Sequence, residues 1–195
     1  MNKFIAAVSA LTLIAVAGCT STGTRNTQTT VSTAITFPPM FKGQHDELSS
    51  YGPVSLKIGD PPLIHPGLFR LRVCNDDKSE CKIGVAKLKA QLKLVSLNES
   101  DATLKIDLKF NVDQSQTLRD DLSKFQAKMP DDVPIIQGDY NTSEDHVTVP
   151  YNRVGRIDLP YGVAYKFCVQ APTTGPKPSL SGCPGAEVVI PRAQQ

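Results

Sequence analysis

Groups able to do chemistry are few along this chain, and their spacing favours binding over catalysis. His45, His65 and His146 are its only imidazoles, and no His-x-x-x-His or His-Glu-x-x-His spacing occurs. Zinc hydrolysis therefore has no ligand set readable in the sequence. No Gly-x-Ser-x-Gly elbow or glycine-rich phosphate loop is present, which removes the α/β-hydrolase type of acyl transfer and the commonest nucleotide chemistries. An enzyme would need His65 or His146 in a deep pocket beside a carboxylate. Instead, His65 between Ile64 and Pro66 reads as a loop or partly buried residue, and His146 beside Glu144 and Asp145 as a solvated turn. Acids paired in sequence, as at Asp120-Asp121 and Asp131-Asp132, point apart in space and make no ready acid/base dyad.

The N-terminus says where the protein works. Lys3 precedes a largely apolar run from Phe4 to Ala17, too short for an ordinary membrane-spanning helix and shaped like a secretory signal. Val16-Ala17-Gly18-Cys19 ends that run and resembles the lipobox of bacterial lipoproteins. The resemblance implies removal of residues 1–18, acylation of Cys19 by diacylglycerol and palmitate, and a lipid anchor. Thr20 follows the cysteine where an aspartate tends to retain lipoproteins in the inner membrane. The outer membrane, on its periplasmic side, is the implied location. Residues 19–33, rich in Thr and without apolar periodicity, read as a flexible tether with a reach of roughly 20 Å. Losing Lys3 takes the net charge from +2 to +1, too near neutral for a field that gathers nucleic acid.

Export makes the remaining four cysteines disulfide candidates. Short spacings favour two local bridges, Cys74–Cys81 and Cys168–Cys183, over the other pairings. The first would staple the loop Asn75-Asp76-Asp77-Lys78-Ser79-Glu80. Asp76, Asp77 and Glu80 make that loop a candidate recognition element. It is a poor calcium site, because Lys78 sits among the carboxylates and EF-hand ligand spacing is absent. No cofactor and no metal are expected.

The second candidate surface is a row of lysines. Residues 86–94 and 102–112 alternate apolar and polar, the pattern of strands with one buried and one wet face. Asn98-Glu99-Ser100-Asp101 supplies a turn, so the two should form an antiparallel hairpin. A register in which paired numbers sum to 200 sets Leu92 against Leu108 and Lys93 against Asp107, with a bulge near the turn at Val95 and Leu97. The wet face then carries Lys87, Lys89, Lys93, Lys105 and Lys109 against Asp107 alone. Such a stripe could meet an anionic envelope polymer, or simply keep the strands soluble.

Further strands are expected at Val31–Phe37, Val54–Ile58, Leu68–Val73, His146–Tyr151, Val163–Val169 and Glu187–Ile190, punctuated by 15 prolines and 13 glycines. Ile35 to Phe41, with Pro38 and Pro39, reads as an edge strand covering the core. Leu118, Leu122, Phe125 and Met129 have helical spacing, Ser115 can cap, and Pro130 ends the run; one amphipathic helix is expected over Ser115–Lys128. Leu159-Pro160-Tyr161-Gly162-Val163-Ala164-Tyr165 resembles the tyrosine corner of immunoglobulin-like and fibronectin type III sandwiches. The resemblance implies a Tyr165 hydroxyl bonded to upstream backbone. It extends to the architecture alone, since the chain has no Trp.

The expected fold is mainly β: an antiparallel Greek-key-like β-sandwich over residues 34–195, with one inserted amphipathic helix and two local disulfides. The expected function is that of a lipid-anchored, non-enzymatic binding or scaffold protein of the bacterial envelope, with a protein partner there. The alternative is an inhibitor or ligand-binding module acting through the stapled loops 75–80 and 172–182.

Overall fold

Alternating apolar and polar residues become strands along nearly the whole body. The structure, a computed structural model, describes residues 28–41, 46–119, 124–172, 183 and 187–191, without the side chains of Glu47 and Asp145. Cys19, the signal region, His45 and most of the 172–182 loop lie outside the described residues. In chain order the strands are β1 (Gln28–Phe37), β2 (Glu47–Lys57), β3 (Leu63–Cys74), β4 (Cys81–Leu97), β5 (Asp101–Asp113), β6 (Ser115–Arg119), β7 (Lys124–Lys128), β8 (Gly138–Pro150), β9 (Val154–Asp158), β10 (Ala164–Val169) and β11 (Glu187–Val189). The residues 28–33 assigned to the tether thus belong to the first strand.

Three sheets result, with orders β11-β9-β10-β1-β2, β3-β4-β5-β8 and β6-β7. Every strand pair is antiparallel except β11 on β9. β1 is not the edge strand that its prolines suggest. It lies between β10 and β2, and Pro38 and Pro39 fall just past its end, where no ladder bond is lost.

The two larger sheets share one apolar cluster, which joins Val31 and Ile35 of β1 and Tyr165 and Phe167 of β10 to Leu71, Leu88, Leu104, Ile106 and Phe110 of the other sheet. Contact is close. Phe37 stacks on Phe69 at 4.2 Å between ring centroids, and a Cβ added to Gly67 would sit 2.5 Å from Ile35 Cδ1. A side chain at position 67 would force the buried end of Ile35 to shift.

No helix forms among the described residues of Ser115–Lys128. Its ends pair as a hairpin in which Ser115 faces Lys128 and Leu118 faces Phe125. The same residues satisfy both periods: Phe125, Ala127 and Met129 also alternate, and Leu118 and Phe125 meet across the strands. A lone helix of this length is marginal without a face to pack on. Here β6 lies against β3 and β4 instead, and Met129 is buried beyond β7.

Cys74 pairs with Cys81 across the β3–β4 end, with Cα atoms 3.9 Å apart, and Cys168 pairs with Cys183 at 6.2 Å, both as expected from spacing. At the corner, Pro160–Gly162 make a 3-10 turn in which Tyr161 (φ 63°) and Gly162 (φ 72°) are both left-handed. Gly162 adopts this without strain; Tyr161 does not. The fully buried Tyr165 hydroxyl engages the side chain of Thr33 on β1, so the bond runs to a neighbouring strand where the resemblance implied upstream backbone. Burial raises its pKa well above the usual phenol value.

Candidate binding face

β4 and β5 aim one apolar row inward, Ala86, Leu88, Ala90, Leu92 and Leu94 against Leu104, Ile106, Leu108, Phe110 and Val112, all buried, while Val85 on the other parity is buried as well. Period two then leaves Lys87, Lys89 and Lys93, with Lys105, Asp107 and Lys109, on the outward face. The register differs from the expected one by two residues. Paired numbers sum to 198, so Leu92 faces Ile106 and Gln91 faces Asp107. Lys93 faces Lys105, Lys89 faces Lys109, and Lys87 faces Asn111. Parity is preserved because the buried face demands it; a two-residue slip keeps every apolar side chain inside. The expected bulge lies between Leu94 and Ser96, and Asn98 N–H closes the turn on the Asp101 carbonyl at 2.9 Å.

The slip removes the counter-charge that the sequence offered Lys93. Asp107 accepts from Ser143 Oγ, and Asp139 from Asn111 Nδ2. Asp113 accepts from Gln137 Nε2 at 3.0 Å and the Gln114 N–H at 2.7 Å. Those donors, Gln137 first, hold the Asp113 carboxyl below the usual range. Asp107, Asp113 and Asp139 are thus engaged by neutral groups. Among the described residues, ion pairs form at Lys128–Asp131, Arg156–Asp158, Arg156–Glu187 and Lys166–Glu187, none of which involves Lys87, Lys89, Lys93 or Lys109.

Beside the lysines, the β6–β7 hairpin folds over β3 and β4 and leaves a groove of about 910 Å³, lined by Tyr51, Ile64, Pro66, Lys87, Lys89, Thr117, Leu118 and Arg119. Sequence reasoning missed it, because a helix over Ser115–Lys128 has no such wall. Its one legible sign was Ile64-His65-Pro66, whose alternation puts Ile64 outward and His65 inward.

The stapled loop is tightly organised. Asn75 N–H donates to the Glu80 carbonyl at 3.0 Å, Asn75 Nδ2 to Ser79 Oγ at 3.0 Å, and Glu80 N–H to Asn75 Oδ1 at 3.1 Å. Asp77 accepts from both the N–H and the hydroxyl of Ser79, and the backbone donor chiefly holds its carboxyl below the usual range. Asp76 and Glu80 remain at the exposed surface, away from the lysine row. No cluster of three His, Cys, Asp or Glu groups able to hold a metal occurs among the described residues.

The histidines separate clearly. His65 is 2% exposed, its Nδ1 lies 2.8 Å from Thr33 Oγ1, and Tyr51 stacks on its ring at 5.5 Å. Thr33 therefore links two buried polar groups, His65 of one sheet and Tyr165 of the other. Burial pulls the imidazole pKa below its usual value, so His65 stands neutral in the core and closed to a substrate. It lies in β3, not in a loop. His146 lies within β8 with a left-handed φ of 65°, at the irregularity where β8 shifts register against Leu104 and Ile106. No helix of the described residues is long and apolar enough to cross a membrane.

No protein-family model matches this chain, and neither a curated protein nor a solved structure does.

Proposed function

We propose that the protein is a lipid-anchored, non-enzymatic binding or scaffold protein of the bacterial cell envelope, attached to the periplasmic side of the outer membrane through Cys19. Its body is a Greek-key-like β-sandwich, a reading supported by the stacking of Phe37 on Phe69 and the apolar cluster common to the two larger sheets. The binding surface is the lysine face of β4 and β5, and the partner it suits is an anionic envelope component.

One observation carries this. Lys89 faces Lys109 and Lys93 faces Lys105 directly across the ladder. Like charges in that position are destabilising, by roughly 0.2–1 kcal/mol per pair. A strand face needing only solubility could alternate signs and avoid that cost. Keeping Lys89 opposite Lys109, neither with an ion-pair partner among the described residues, makes sense where a partner supplies the negative charge.

The test is a photo-crosslinking residue at Gln91, between the lysines, in intact cells. A single envelope component should be captured, and Lys93→Glu with Lys109→Glu should abolish capture. No discrete adduct, or capture indifferent to the charge reversal, counts against the reading. Mass spectrometry of the N-terminal peptide should find diacylglycerol on Cys19.

A further inference from the structure

Lys87 and Lys89 also line the groove beneath the β6–β7 hairpin, together with Arg119 and the apolar Ile64, Pro66 and Leu118. Ile64 and Tyr51 are 44% and 43% exposed, so the walls hold apolar surface open to solvent beside three cations. The volume, about 910 Å³, lies within the range of small-molecule sites. We propose that this groove binds a single-chain anionic lipid, with its acyl chain along Ile64, Pro66 and Leu118 and its carboxylate or phosphate on Lys87, Lys89 and Arg119.

Charge and polarity select this occupant. Three cationic side chains call for an anion, and none of them has an ion-pair partner among the described residues. An acidic peptide would satisfy the charge but not the walls. Thr117 and Tyr51 are the only neutral hydrogen-bonding side chains in the lining. The groove lies over the face of β3 and β4, and the N–H and C=O groups of a sheet lie in its plane, not across its face. A peptide backbone lying across that face would lose water at its amides without gaining partners from it, and could recover them only by reaching the free edges of β2, β3 or β6. An acyl chain has no such groups and gains from burial, about 0.8 kcal/mol per CH₂ fully removed from water. The inference rests on the proposed reading only in taking the lysine face as the side that binds.

Full-length protein irradiated with a diazirine-bearing palmitate, its methyl ester, or a diazirine-bearing aspartate-rich peptide tests this, with labelled positions mapped by mass spectrometry. Palmitate should label β3, β4 and β6 around Ile64, Lys87 and Leu118, and the ester roughly tenfold less, as expected for losing a charge-assisted contact. Lys87→Glu with Arg119→Glu should reduce palmitate labelling to the level of the ester at unchanged melting temperature, and the milder Arg119→Gln should reduce it in part. Labelling confined to residues 19–33, equal labelling by acid and ester, or preferential labelling by the peptide would each overturn the proposal. Lys93 lies outside the groove lining, so Lys93→Glu should weaken the envelope crosslink and leave palmitate labelling intact. The two readings can therefore fail separately.

Discussion

Lys89 stands directly opposite Lys109 on the outward face of the β4–β5 ladder, and neither forms an ion pair among the described residues. Replacing one member by an acid should turn repulsion into attraction. Lys109→Glu is expected to stabilise the fold by roughly 0.2–1 kcal/mol, read as a higher urea midpoint at unchanged slope, with a smaller gain in high salt. The same substitution should weaken partner capture, separating the stability of the sheet from its use.

Stability should depend on His65 in a defined pH window. Its folded pKa lies below its unfolded value of 6.5 because burial disfavours the imidazolium. The unfolded chain therefore binds the proton first, and the contribution of His65 is complete above about 6.5 and declines as pH falls below it. Carboxylates held low in the fold, such as Asp113, act at lower pH. Urea midpoints measured from pH 7.5 to 5 should fall for the native chain and fall less for His65→Gln; equal slopes would remove His65 as the cause.

Thr117→Ala distinguishes hairpin from helix by sign. Alanine favours a helix and disfavours a strand. Since Thr117 pairs with Gln126 in β6–β7, the substitution should destabilise by about 0.5 kcal/mol, measured by thermal or urea unfolding. A gain in stability would restore the helical reading.

Loss of the Cys74–Cys81 bridge should cost roughly 2.5 kcal/mol on the chain-entropy account of a loop this short. Cys74→Ala with Cys81→Ala is expected to lower the urea midpoint accordingly. The loop's internal bonds, from Asn75 to Glu80 and Asp77 to Ser79, should keep it from dispersing fully, so amide exchange there should rise without reaching that of an unfolded segment.

Cysteine spacing and period-two alternation made both bridges and the β4–β5 hairpin legible before any coordinates, because each depends on residues near one another along the chain. β9 escaped notice, since Val154-Gly155-Arg156-Ile157-Asp158 is short and holds a glycine whose open side is filled by Phe167 of β10. The inserted helix was misread because Leu118, Phe125 and Met129 fit two periods at once, and only the available surface of β3 and β4 decided between them.

Which side chains face inward was settled by the sequence alone, since parity along a strand cannot change without exposing Leu88, Leu92, Ile106 and Phe110 together. Which lysine meets which neighbour was not. Slipping the strands by two residues costs no buried apolar area, so the choice between Lys93–Asp107 and Lys93–Lys105 falls to the turn, the bulge at Leu94–Ser96 and the neighbouring strands. The groove likewise needs the hairpin folded back over the sheet, a long-range contact that no local pattern encodes.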